Sequence, residues 1–147
     1  MTRRAAVANP VLRTMPSGRF SLDLLFRALA DPTRLRLLNL MADREICVCY
    51  FIEILRLSQP KISRHLAYLR RAGIVSARRQ GKWMYYRLLP PANEIAAGIL
   101  RETVSHLRHD PMMGRDLEKL DAACCSPHKF ELLQMAPQPV KISLRKH

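Results

Sequence analysis

Apolar residues recur along this chain in two rhythms, and the change from one to the other divides it. Up to Gly73 the spacing is helical. Leu22, Leu25, Phe26 and Leu29 fall on one side of a helix predicted over Phe20–Ala30, with Ser21 as its cap. Asp31-Pro32-Thr33 is a stop-and-restart signal, in which Asp caps and Pro opens the next helix. That second helix runs to about Ala42 and buries Leu35, Leu38 and Met41, with Arg34 and Arg36 as surface charges. A short third helix is predicted over about Cys47–Arg56, with Phe51, Ile52 and Leu55 apolar. Across the tight joint Leu57-Ser58 comes the stretch Ser58–Gly73. There Pro60 sits in the first turn, Ile62, Leu66 and Leu69 recur at i, i+4, i+7, and Gly73 supplies a left-handed stop. Two short helices across so short a joint predict a helix-turn-helix, whose second member reads bases while the first braces it.

From Ile74 to Leu88 the rhythm becomes strand-like, β-branched at Ile74-Val75 and aromatic at Trp83-Met84-Tyr85-Tyr86. The intervening Arg78-Arg79-Gln80-Gly81-Lys82 reads as a hairpin turn with a cationic tip, placed as a wing to straddle phosphates or a minor groove. Pro90-Pro91 ends the hairpin. A helix from about Ala92 to His109 then carries Ile95, Ile99, Leu100, Val104 and Leu107, more apolar surface than one small neighbour would cover. It reads as a dimer helix with the first helix beside it, and protein two-fold symmetry would match a two-half-site operator. After Asp110-Pro111 the pattern weakens to a further helical segment over Asp116–Cys125 and a basic tail from Pro137. The expected fold is therefore mainly α with a small β-hairpin: a winged helix-turn-helix, dimeric through N-terminal and C-terminal helices. Residues 1–19 are expected to be a mobile basic arm and 20–110 the dimer domain. Residues 111–147 are expected to form an extension, partly disordered, carrying a cysteine pair.

Charge sharpens this picture. The 147 residues carry a formal net charge of +13, which points to a polyanionic partner. The excess is local. Ile54 to Asn93 holds nine Lys/Arg and no acid, and residues 1–20 hold four Arg and no acid. Gln59, Lys61, Ser63 and Arg64 are the candidate readers of bases and nearby phosphates in double-stranded DNA, and Arg78, Arg79 and Lys82 the candidate backbone clamp. Tyr68 and Arg71 share the basic face, while His65 lies nearer its buried edge and suits a structural hydrogen bond. No apolar run reaches membrane-spanning length, and the N-terminus has no secretory pattern. With no export signal, the four cysteines are expected to be reduced thiols in a cytoplasm.

Those cysteines form two close pairs, Cys47/Cys49 and Cys124/Cys125. On a helix, residues i and i+2 are about 200° apart, so Cys47 and Cys49 would share a small centre only if the helix start unwinds. A ligand gathering both sulfurs would then distort the brace and tilt the reading helix. Soft thiolates favour thiophilic ions, and three would suit a trivalent, pyramidal metalloid. Ile52, at i+3 from Cys49, cannot be the third. That donor falls to Cys124 or Cys125, within the subunit or across the dimer, unless the vicinal pair forms a partial site of its own. Glu102, His106 and His109 share a helix face, which reads first as polar surface and second as a zinc site.

Three stretches together resemble the arsenical-resistance repressors, the ArsR-type metalloregulators: Glu45-Ile-Cys-Val-Cys-Tyr-Phe, Leu57-Ser-Gln-Pro-Lys-Ile-Ser-Arg-His-Leu through Gly73-Ile-Val, and Arg78-Arg-Gln-Gly-Lys-Trp-Met-Tyr-Tyr-Arg-Leu. Ala28-Leu-Ala-Asp-Pro-Thr-Arg-Leu-Arg-Leu-Leu adds to the likeness, which covers roughly residues 20–110. The resemblance implies a winged-helix homodimer that represses its own resistance operon and leaves DNA when trivalent arsenic or antimony binds, with Cys47 and Cys49 matching the inducer motif. The chain departs from the family at Tyr50, where an acid is usual, at Ile52, where the best-known version has a third cysteine, and in its extra Cys124-Cys125. Sensing of Cd, Pb or Zn, or of thiol oxidation, is the alternative on the same fold. A small thiol reductase is disfavoured by the absence of C-x-x-C and of a His or acid beside either pair.

Overall fold

The computed structural model describes residues 21–142; the predicted basic arm at 1–19 lies outside the described residues. Six helices and four strands follow in the order α1 (Leu22–Leu29), α2 (Pro32–Leu40), β1 (Arg44–Cys47), α3 (Val48–Leu55), α4 (Gln59–Arg71), β2 (Val75–Gln80), β3 (Trp83–Leu88), α5 (Glu94–Leu107), α6 (Pro111–Cys125) and β4 (Val140–Lys141). Two short 3-10 turns precede β4. Most helix starts obey their caps. The side chains of Ser21, Asp31, Asn93 and Asp110 each accept from a backbone N–H in the first turn, and Pro32 and Pro111 open α2 and α6.

The helix-turn-helix is α3–α4. Leu55 ends α3, Arg56 takes the left-handed conformation at φ 56°, and Gln59 begins α4. At the far end of α4, Gly73 has φ 79°, its N–H reaches Arg70 O and that of Ile74 reaches Leu69 O, a Schellman stop. Ile62, Leu66 and Leu69 are fully buried, so the predicted stripe faces the core. The hairpin follows, with β2 and β3 in register from Val75↔Leu88 to Gln80↔Trp83 around Gly81-Lys82; Gly81 has φ 60°, which favours glycine.

Four features depart from the sequence expectation. The hairpin is half of a four-stranded antiparallel sheet, ordered β2-β3-β1-β4. Its third strand, β1, covers Arg44–Cys47, where no strand was expected, and takes Cys47 out of the predicted third helix, which therefore starts at Val48. The helix of the C-terminal extension is longer than the expected Asp116–Cys125: α6 begins at Pro111, packs on α2 and α3, and leads to β4 on the edge of β1. Finally, α2 buries Leu37, Leu38, Asn39 and Leu40 in succession where one stripe was expected. The reason is α6, which covers the side of α2 that would otherwise meet solvent. Arg36, expected as surface decoration, makes a bidentate ion pair with the fully enclosed Asp116 of α6 at 2.7 and 2.9 Å, and Asn39 Nδ2 donates to Met113 O at 3.0 Å. Phe26 and Ile95, counted among the apolar residues of α1 and α5, are 51% and 54% exposed.

Candidate nucleic-acid interface and thiol site

The basic face of α4 is open. Gln59, Lys61, Ser63 and Arg64 are all exposed, while the opposite side of the helix is buried. Thr33, Arg34, Leu57, Lys61, Arg64, His65 and Tyr68 line a cleft of about 490 Å³ between the start of α2 and α4. Its floor is fixed. Arg34 donates to the carbonyls of Ala28 and Arg27 at 2.8 Å, and its guanidinium lies 4.2 Å from the Tyr68 ring. His65 faces Asp31 at 3.8 Å, too far for the structural hydrogen bond expected of it. Arg34 is thus occupied in holding α1, α2 and α4 together, and the free cations of this surface are Lys61 and Arg64.

The wing divides its three cations. Lys82 at the turn lies over the Trp83 ring at 5.0 Å, and Arg79 Nε donates to Gly81 O, so both charges sit at the exposed tip. Arg78 does not. Its guanidinium pairs with Glu45 of β1 at 2.6 Å, donates to Gln80 Oε1 and stacks 4.1 Å from Tyr85. Glu45 and that pair were missed by sequence reasoning. The residue predicted as a clamp ties the wing to β1, and its charge is largely answered within the chain.

β1 is also where the cysteines begin. Cys47 is its last residue, register-paired with Tyr85 of β3 and serving as N-cap of α3; Cys49 is the second residue of α3. Because Cys47 is on the strand, the helical argument that set the two sulfurs on opposite sides does not apply, and no unwinding is needed to bring them together. The neighbouring Cys49 thiol, with the backbone N–H groups of Cys49, Val48 and Met84, lowers the Cys47 pKa from 9.0 to about 7 against the opposing effect of burial, and the interaction of the two thiols raises that of Cys49. Thiolates at a helix start are reactive ligands for soft ions.

Cys124 and Cys125 end α6, the first half-buried and the second exposed. Burial pushes the Cys124 thiol up, with the Arg44 charge opposing. Tyr50, next to Cys49 in α3, is completely buried, and its hydroxyl has no hydrogen-bond partner. Its pKa is raised to about 12, first by burial and then by the neighbouring charges of Cys124, Cys47 and Cys49. Among the described residues no group of three His, Cys, Asp or Glu is close enough to hold a metal ion as it stands. His106 on α5 and His109 in the turn that follows it are both exposed, with ring centroids 6.3 Å apart; since α5 ends at Leu107, the shared helix face expected of Glu102, His106 and His109 is not formed.

Residues 31–77, from the cap of α2 to the start of the wing, match the family described as bacterial regulatory protein, arsR family. The chain is 41% identical over 111 residues to the arsenic resistance transcriptional regulator ArsR2 of Pseudomonas putida, covering 69% of this chain and 95% of that one. It belongs to the ArsR family. Its likeness to a second Pseudomonas putida regulator, ArsR1, is 45% over 98 residues, or 63% of this chain and 77% of the relative. The arsenical resistance operon repressor of Escherichia coli is 51% identical over 79 residues, covering 53% of this chain and 68% of the other. Among solved structures, HlyU from Vibrio cholerae superposes with a TM-score of 0.50 at 31% identity, over 58% of this chain and 86% of that one. These relatives are named as transcriptional regulators and repressors, not as enzymes, and the ArsR-family chain shares their winged helix-turn-helix. No described helix is long and apolar enough to cross a membrane.

Proposed function

We propose that this ArsR-family chain represses transcription by holding operator DNA as a homodimer, and that trivalent arsenic or antimony releases it by binding the thiolates of Cys47 and Cys49 with help from the C-terminal pair. The observation that carries the reading is the position of Cys47. It is at once the end of the strand that bears the wing and the cap of the helix that braces α4. A ligand bound to both sulfurs fixes their side-chain angles and adds bulk where the core has no spare room, since Cys47 is fully buried. Either β1 or the first turn of α3 must then shift, and each shift moves a DNA-contacting element. A ligand able to bind only the shifted arrangement changes DNA affinity by its preference between the two states.

Gln59, Lys61, Ser63 and Arg64 would supply base and phosphate contacts, with Arg79 and Lys82 gripping the backbone and Arg78 bracing the wing. The exposed Phe26 on α1 and Ile95 on α5 supply apolar surface for the second subunit. The names of the relatives support arsenic as the inducer, and the soft donor set supports a thiophilic one.

The test is an operator-binding titration with arsenite on the parent, Cys47→Ser and Cys49→Ser. Both variants are expected to bind DNA as the parent does and to stay bound at arsenite concentrations that release it. Normal release of both variants would place the inducer elsewhere.

A further inference from the structure

Resting on the metalloid reading above, we infer that the third thiolate of the inducer site is Cys124 of the same chain, drawn to Cys47 and Cys49 beside the Tyr50 hydroxyl, and that Cys125 takes no part. The position of α6 carries this. The helix is fixed over its own subunit at three points: Arg36–Asp116, Asn39 to the Met113 carbonyl, and Arg44 of β1 to Asp121 at 2.8 Å. Asp121 and Cys124 are three residues apart and so share a helix face. The contact that holds Asp121 against β1 therefore turns Cys124 toward Arg44 at the start of that strand, three residues before Cys47. Cys125 is rotated by about 100° from that direction and is exposed.

Tyr50 supplies the second observation. A fully enclosed hydroxyl without a partner forfeits the hydrogen bond that water gives it in the unfolded chain. It lies within electrostatic reach of all three sulfurs, and a metalloid-bound sulfur would give its O–H an acceptor. Its neutral phenol adds no negative charge among the thiolates. Arg44 Nε, also buried and without a hydrogen-bond partner, lies on the Cys124 side of the same region.

The three donors are not yet within ligand distance of one another. Closing the site requires the last turn of α6 to move toward the β1–α3 junction. That turn is held by modest contacts, the Ser126 N–H on Ala122 O and Gln138 Nε2 on Cys124 O. Its movement would pull on the Arg44–Asp121 pair, and hence on the strand that carries the wing. In the binding step three As–O bonds of arsenous acid break and three As–S bonds form. The three thiol protons leave with the hydroxyl groups as three waters. Arsenic stays trivalent and no sulfur is oxidised.

Intact mass distinguishes the outcomes, because arsenic held by two thiolates retains one hydroxyl and its adduct is one water heavier than with three. The full-length reduced protein is titrated with arsenite, with DNA binding as the check on folding. The parent and Cys125→Ser are expected to give the lighter adduct on single chains. Cys124→Ser is expected to give the heavier adduct and to need about tenfold more arsenite. Tyr50→Phe is expected to keep the lighter adduct and to need about threefold more arsenite. The inference is overturned if Cys124→Ser behaves as the parent, if Cys125→Ser gives the heavier adduct, or if arsenic bridges two chains. An unchanged titration in Tyr50→Phe removes the tyrosine from the site. A heavier adduct on the parent sinks the third ligand but leaves the proposed function standing, whereas no adduct on the parent sinks both.

Discussion

At the scale of single residues, two positions bear strain or charge that a measurement can read. Arg56 is the one described non-glycine residue with a positive φ, and it forms the turn of the helix-turn-helix. A left-handed conformation costs an L-residue roughly 1–2 kcal/mol, and the only side-chain compensation is a 3.5 Å ion pair with Glu53 from a 79% exposed guanidinium, which contributes little. Arg56→Gly is therefore expected to raise stability by about 1 kcal/mol, read as a higher urea midpoint with unchanged slope. Cys47 gives a pH dependence. In the unfolded chain its thiol ionises near 9.0 and in the folded chain near 7, so between those values the unfolded state binds more protons. Its contribution is fully present above pH 9, declines as pH falls, and is lost through pH 7. Cys49, shifted the other way, opposes it only above 9. The urea midpoint is expected to rise from pH 7 to pH 9 in the parent, and to lose that rise in Cys47→Ser. Thiolate ultraviolet absorbance should show one proton leaving the pair near pH 7.

At the scale of elements, the wing separates charges that look alike in the sequence. Arg79 and Lys82 are free at the tip while Arg78 is paired with Glu45. Removing one phosphate contact lowers the slope of log affinity against log salt by about 0.9. Lys82→Ala and Arg79→Ala should each do so uniformly across DNA sequences, and Arg78→Ala should leave the slope nearly unchanged. What the sequence made legible follows the same division. The stripe of α4 and the Gly81 hairpin were readable because their signals are local: a 3.6-residue period with a capping proline and a glycine stop, and a glycine between two β-rich runs. β1 was not. Four residues, Arg44 to Cys47, carry no period of their own and become a strand only because β3 and β4 arrive from far along the chain. Read as the first residue of a helix, Cys47 was set apart from Cys49, so a missed strand became a misplaced pair of sulfurs. The Ile46-Cys47-Val48 run was the one local hint. The partner of Arg78 was hidden for the same reason, since Glu45 is 33 residues away.

For the whole molecule, the element that the sequence undersold is α6. Its anchor, Arg36–Asp116, spans 80 residues, and Asp116 is 1% exposed. Removing one member of such a pair leaves the other poorly solvated, which typically costs 3–5 kcal/mol, whereas replacing both with apolar groups is often neutral. Asp116→Ala is accordingly expected to lose about 3 kcal/mol, the lower end because Arg36 is 21% exposed. Arg36→Leu combined with Asp116→Leu should recover most of that. The way the loss appears tests whether α6 belongs to the folding unit of the DNA-binding domain. Trp83, the single tryptophan, reports on the wing, while far-ultraviolet dichroism reports on all helices. If α6, α2 and the sheet form one cooperative core, both signals in the parent share one urea midpoint. In Asp116→Ala the dichroism should fall first, as α6 lifts from α2 and exposes the buried run Leu37–Leu40. Coincident signals in both proteins would make the helix inseparable from the wing. Separate signals in the parent would make it a loose appendage, too weakly docked to press on β1.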